Sequence, residues 1–109
     1  MTETERRRHP RFKVRVDAQL SQGAQRFPGR LKDLCRDAAL VEVSHRLEVG
    51  DSVALILPGT EAPLEVAGQV VRTAPGDEGS LDAAILFSDV PSAVETRIDS
   101  FIAEHSQGA

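Results

Sequence analysis

The chain changes period within Leu81-Asp82-Ala83-Ala84-Ile85-Leu86-Phe87-Ser88-Asp89-Val90-Pro91-Ser92-Ala93-Val94-Glu95-Thr96-Arg97-Ile98-Asp99-Ser100-Phe101-Ile102. Leu81, Ala83, Ile85 and Phe87 recur at every second residue, the period of a strand with one face buried. Val94, Ile98, Phe101 and Ile102 then fall at i, i+4, i+7 and i+8, which is one stripe of an amphipathic helix. Pro91 suits a first helical turn, where its missing N–H is not needed, and Ser92 with Glu95 has capping-box spacing. The spacing predicts a last strand followed by a helix near 91–105.

Upstream of this switch the alternation recurs. Val14, Val16, Ala18 and Leu20 face one way, with Arg15, Asp17 and Gln19 opposite. Ser21-Gln22-Gly23-Ala24 supplies a turn, and Arg26 to Leu34 reads as a return strand weakened by Pro28-Gly29. Asp33 to Ala38 interrupts the pairing. Ala39 to Ser44 resumes it, Leu47 to Asp51 is a loop, and Ser52 to Leu57 is a short apolar strand closed by Pro58-Gly59. Leu64, Val66, Gly68 and Val70 alternate through a strand ending near Arg72, and Ala74 to Gly79 is rich in breakers. Six short strands and one helix predict a mostly-β fold, a six-stranded antiparallel barrel with one C-terminal α-helix. Closing the sheet removes its unpaired edges, and the helix can plug an open end.

The 109 residues are enough for one domain. With four Phe and no Trp or Tyr, the core must be built from Val, Leu, Ile and Ala. A single Cys excludes an internal disulfide and fits a reducing compartment. No apolar run approaches the roughly 18 residues of a membrane span, and no signal-peptide pattern opens the chain, so a cytoplasmic location is expected. The net charge of −4 is unevenly spread. Residues 1–15 carry six basic side chains against Glu3 and Glu5, a local +4, which leaves −8 on the rest. Residues 1–10 lack hydrophobic periodicity and are expected to be a flexible basic arm preceding a domain over 11–105.

Two polar concentrations stand out. One is the arm, Arg6-Arg7-Arg8-His9-Pro10-Arg11; the other is Asp33-Leu34-Cys35-Arg36-Asp37-Ala38-Ala39-Leu40-Val41. Together they look like two halves of one anion-binding site. Each has a plainer reading. The arm can be a solvated or nucleic-acid-binding tail, although an acidic body without Tyr or Trp stacking platforms argues against nucleic acid. Cys35 can be a small buried apolar residue, or a redox sensor if its setting is electropositive. Asp33 can organise its own turn through its side chain. His9, His45 and His105 lack metal-ligand spacing, and no phosphate loop or paired carboxylates suggest an enzyme.

These residues resemble the PilZ domain, the bacterial receptor module for cyclic di-GMP. The family's first motif, two arginines separated by three residues, is met by Arg7 and Arg11. Its second is Asp or Asn, any residue, Ser, two of any kind, then Gly. Asp33-Leu34-Cys35-Arg36-Asp37-Ala38 stands in that place, with Cys35 for Ser and Ala38 for Gly. A second family Gly, before the Phe of the last strand, is also replaced within Asp82-Ala83-Ala84-Ile85. The likeness runs from about Arg6 to Ile102.

The resemblance implies a cyclic di-GMP site formed by Arg7, Arg8, Arg11, Asp33, Cys35 and Ala38, with no other cofactor and no metal. The residue types fit. An Arg fork can meet guanine O6 and N7, stack on the base, or hold phosphate oxygens. An Asp carboxylate can accept from guanine N1 and N2. A thiol in place of the family's hydroxyl is a weaker partner, at a cost of about 0.5–1.5 kcal/mol. Ala38 adds roughly 1 kcal/mol of strain if the turn requires a positive φ; otherwise its methyl group only intrudes on the pocket. The expected function is a stand-alone adaptor that binds cyclic di-GMP and passes the signal to a protein partner. The alternative is a PilZ-like interaction module that does not bind the nucleotide, for example in motility or polarity control.

Overall fold

The structure is a computed structural model that describes residues 12–59, 62–88 and 90–105. The arm, with Arg7, Arg8 and Arg11, lies outside the described residues. Six strands run in chain order: β1 (Phe12–Gln22), β2 (Gln25–Leu34), β3 (Ala38–Val43), β4 (Ser52–Leu57), β5 (Leu64–Pro75) and β6 (Leu81–Phe87). One helix follows, α1 (Ser92–His105). The strands close into a barrel in the order β1-β2-β3-β6-β5-β4, and every neighbouring pair is antiparallel. This is the barrel with a C-terminal helix that the alternation predicts.

The interior is filled by the alternating sets. Val14, Leu20, Leu31, Val41, Leu55, Val70 and Ile85 are all essentially inaccessible to solvent, and no polar side chain is buried among the described residues. β3 lies across the barrel from β4, so the segment joining them must traverse one open end, and it carries the buried Leu47. This loop is fastened to β5 by hydrogen bonds from Gly50 N–H to the Val70 carbonyl (2.8 Å) and from Val70 N–H to the Asp51 carbonyl (2.9 Å). Gly50 has φ 100°, a left-handed conformation that side chains disfavour. The helix packs on β1 and β5 and buries Ile98, Phe101 and Ile102. The two ends are thus closed by different means.

The structure refines the sequence reading at three places. β2 runs through Pro28-Gly29 without a break. Pro28 pairs with Gln19 of β1 but lies beyond the last β3 pair, Gly29 with Val43, so its missing N–H interrupts no ladder on that side. At Gly29 a Cβ would come within 2.8 Å of Leu20 Cδ1, so the small residue is a packing requirement. β5 continues past Arg72 to Pro75, because pairing with β6 carries on to Leu81. The helix begins when the Pro91 carbonyl accepts the Glu95 N–H at 2.9 Å. That makes Pro91 the cap and puts Ser92 one position too late for a capping box.

Candidate ligand-binding site

The predicted turn at Asp33 is shorter than its sequence suggests. Asp33 and Leu34 are still in β2, Ala38 already starts β3, and the reversal takes only Cys35-Arg36-Asp37. The Cys35 N–H donates to the Ala38 carbonyl at 2.9 Å, closing the turn. The Asp37 carbonyl accepts the Phe87 N–H at 2.8 Å, tying the turn to the end of β6.

Asp33 faces outward because of a β-bulge. Pairing with β1 jumps from Lys13–Asp33 to Val16–Leu31, and pairing with β3 jumps from Leu31–Val41 to Asp33–Leu40. Against β3 the extra residue is Lys32 on β2, whereas against β1 it is on β1, where Val14 and Arg15 oppose Lys32; Lys32 and Asp33 are both partly exposed between buried Leu31 and Leu34. Lys32 is taken by Asp82: its ammonium lies 3.1 Å from Asp82 Oδ2, and this hydrogen bond is the main reason its pKa is raised. Asp33 has no ion pair or side-chain hydrogen bond among the described residues. The turn is not organised by its carboxylate, which is left as an open acceptor.

Cys35 does the organising. It is 3% exposed, and its thiol donates to Asp37 Oδ1 at 2.9 Å. Burial first, and this bond second, push the thiol pKa above its ordinary value. A protonated, buried sulfur is a poor nucleophile, which removes the redox-sensor reading. Ala38 does not have a positive φ, since Glu78 is the only non-glycine that does among the described residues. Of the two costs the sequence leaves open at Ala38, strain is therefore absent and the methyl group remains. Arg36 points to the helix, with Nε 2.9 Å from Asp99 Oδ1 and a second contact from its other nitrogen.

The chain enters β1 at Phe12, which is the cross-strand partner of Leu34, and Lys13 pairs with Asp33. Phe12, the first described residue, therefore lies directly beside the turn. A hollow of about 890 Å³ lies elsewhere on the wall, bounded by Asp17, Glu42, Asp77 and Glu78 with Arg30. Its acidic lining makes it a poor seat for a phosphodiester.

A sequence model of the PilZ domain matches residues 5–104. The chain belongs to the PilZ family. Solved PilZ structures agree with the fold. The PilZ domain of YcgR from Escherichia coli, solved with cyclic di-GMP, is similar at TM-score 0.72 and 17% identity over 92% of this chain and 91% of that one. The inhibitor of motility MotI from Bacillus subtilis gives TM-score 0.72 and 17% identity, and covers 91% of this chain. MrkH from Klebsiella pneumoniae, in its cyclic di-GMP complex, gives TM-score 0.69 and 14% identity over 90% of this chain. The chain spans about half the length of MotI and of MrkH. A search of curated proteins finds no match.

For a PilZ domain, the sequence motifs hide two things. The bulge at Lys32, which turns Asp33 outward, shows only as the three-residue spacing of Leu31 and Leu34, which a turn would also give. The Arg36–Asp99 contact joins residues 63 positions apart. The only cue to it is an arginine in the turn and an aspartate on the helix's polar side.

Proposed function

We propose that this PilZ domain is a cyclic di-GMP receptor module that passes ligand occupancy to a protein partner in the cytoplasm. The observation that carries this reading is the unpartnered Asp33 carboxylate on the outer wall, next to the root of an arm containing Arg7, Arg8 and Arg11. Asp33 accepts a guanine's N1 and N2 hydrogens, while Arg7 and Arg11, with Arg8, meet the phosphates and close the arm, residues 1–10, onto the domain, 11–105. Lys32 and Arg36 are already held by Asp82 and Asp99, so neither is free to meet the phosphates, which favours the arm for that role. Cys35 shapes the turn beneath the ligand, and the Ala38 methyl narrows the seat. No described helix is long and apolar enough to cross a membrane.

Calorimetric titration with cyclic di-GMP tests the reading. The natural protein is expected to bind in the micromolar range, and Cys35→Ser with Ala38→Gly to bind roughly tenfold more tightly, through a stronger donor and a removed methyl group. Arg7→Ala or Arg11→Ala should abolish that gain. A second reading, an interaction module without the nucleotide, is favoured by one observation: the Cys35 thiol is spent on Asp37 and offers a ligand nothing. Absence of binding by both the natural and the restored protein at high micromolar ligand would select it.

A further inference from the structure

Asp33 is the second member of a row that crosses five strands. Lys13, Asp33, Leu40, Ala84 and Arg72 are successive cross-strand partners on β1, β2, β3, β6 and β5. At the far end a second bulge repeats the device seen at Lys32. Pairing of β5 with β6 jumps between Val70 and Arg72, and Val71 and Arg72 are both exposed. Between the two bulges the wall is apolar. Leu40 and Ala84 are half-buried, and in the adjoining row Ala38 pairs with Leu86, which is 48% exposed. Arg72 has no ion pair or hydrogen bond with any described residue. Asp33 and Arg72 are three strand spacings apart, about 14 Å along the wall.

The row therefore offers an open carboxylate, an apolar floor, and an open guanidinium. We propose that Arg72 contacts the second guanine of cyclic di-GMP, the one not held by Asp33, with Leu40, Ala84 and Leu86 beneath the base. This rests on the receptor reading above. Asp33 satisfies the donor edge of one guanine, and the arm, rooted beside Asp33, supplies cations for the phosphates. What is left of the ligand is a second purine, with apolar faces and the O6 and N7 acceptors on one edge. An apolar floor ending in a planar two-pronged donor matches that chemistry. A guanidinium at this end distinguishes guanine from adenine, because adenine presents a donor where guanine presents O6.

The test is calorimetry on the full chain with two probes: cyclic di-GMP, and the hybrid cyclic dinucleotide in which one guanine is replaced by adenine. The natural protein is expected to prefer cyclic di-GMP about tenfold, since the hybrid can keep its one guanine at Asp33 but must place adenine at Arg72. Arg72→Ala should weaken cyclic di-GMP binding about tenfold and nearly erase the preference. Arg72→Lys keeps the charge but lacks the fork, so it too should lose the preference. Arg72 is exposed, and unchanged melting temperatures will show that both variants fold. If Arg72→Ala leaves affinity and preference intact while Arg11→Ala abolishes binding, the receptor reading stands and Arg72 has no part in it. If Arg72→Ala weakens both probes equally and Arg72→Lys restores both, the residue meets a phosphate and the assignment is overturned. If the natural protein binds neither probe, the receptor reading fails and takes this inference with it.

Discussion

Two neighbouring patches of the same barrel wall differ in one respect. In the first, the charged side chains answer one another, although the buried Asp82 Oδ1 has no hydrogen-bond partner among the described residues. Lys32 bonds Asp82 at 3.1 Å, and Ser80 Oγ donates to Glu42 Oε2 at 2.6 Å, which lowers the Glu42 pKa. One row along, Asp33 and Arg72 stand at either end of Leu40 and Ala84 with no partner among the described residues. Folding alone supplies a reason for the first patch. Two bulges turn charged side chains outward and leave them unpaired among the described residues, which adds no ion pair to the fold and is why we propose a ligand for them.

Both patches depend on the core beneath them, and the largest effects are expected there. Ile98→Ala and Phe101→Ala should each destabilise the domain by about 2–5 kcal/mol, because both side chains are buried where α1 closes the barrel. Chemical denaturation reads this directly, and an unchanged midpoint would place the helix stripe against solvent. In the first patch, Asp82→Ala should cost about 1–3 kcal/mol by leaving the partly buried Lys32 ammonium unanswered. In the second, Asp33→Ala should shift stability by no more than about 0.5 kcal/mol, as for an ordinary surface site. Equal losses for Asp82→Ala and Asp33→Ala would break the comparison.

The smallest effect concerns the turn. The folded chain holds the Cys35 proton more tightly than the unfolded chain, whose thiol has the ordinary value of 9.0. The contribution is therefore complete below about pH 9 and is lost as pH rises from there through the folded value. The urea midpoint should fall more between pH 8 and 10.5 in the natural protein than in Cys35→Ala. Parallel curves would mean the thiol is not confined as the Asp37 contact implies.

The inner face of the barrel was legible in the sequence, and the outer face only in part. Val14, Leu20, Val41, Val70 and Ile85 announce themselves by a period of two, because burial selects residue type at every second position. Bulges break that period by one residue, and next to a charged side chain the break cannot be told from a turn. Hence Asp33 reads as part of the reversal although β2 contains it, and Arg72 reads as a strand end although β5 runs on to Pro75. Asp33, Cys35 and Ala38 were placed together by their resemblance to the family's second motif. What each does was not legible there: the thiol bond to Asp37 and the ordinary backbone at Ala38 are facts of three-dimensional geometry.

We propose that folding leaves Asp33 free for a nucleotide. This central claim is tested most directly by titrating cyclic di-GMP into the natural protein and Asp33→Ala, with melting temperatures measured on the same samples. Loss of a charge-assisted contact of about 1.5–3 kcal/mol predicts at least a tenfold weaker affinity for Asp33→Ala at an unchanged melting temperature. Equal affinities for the two proteins, or a drop in melting temperature that accounts for the loss, would contradict it.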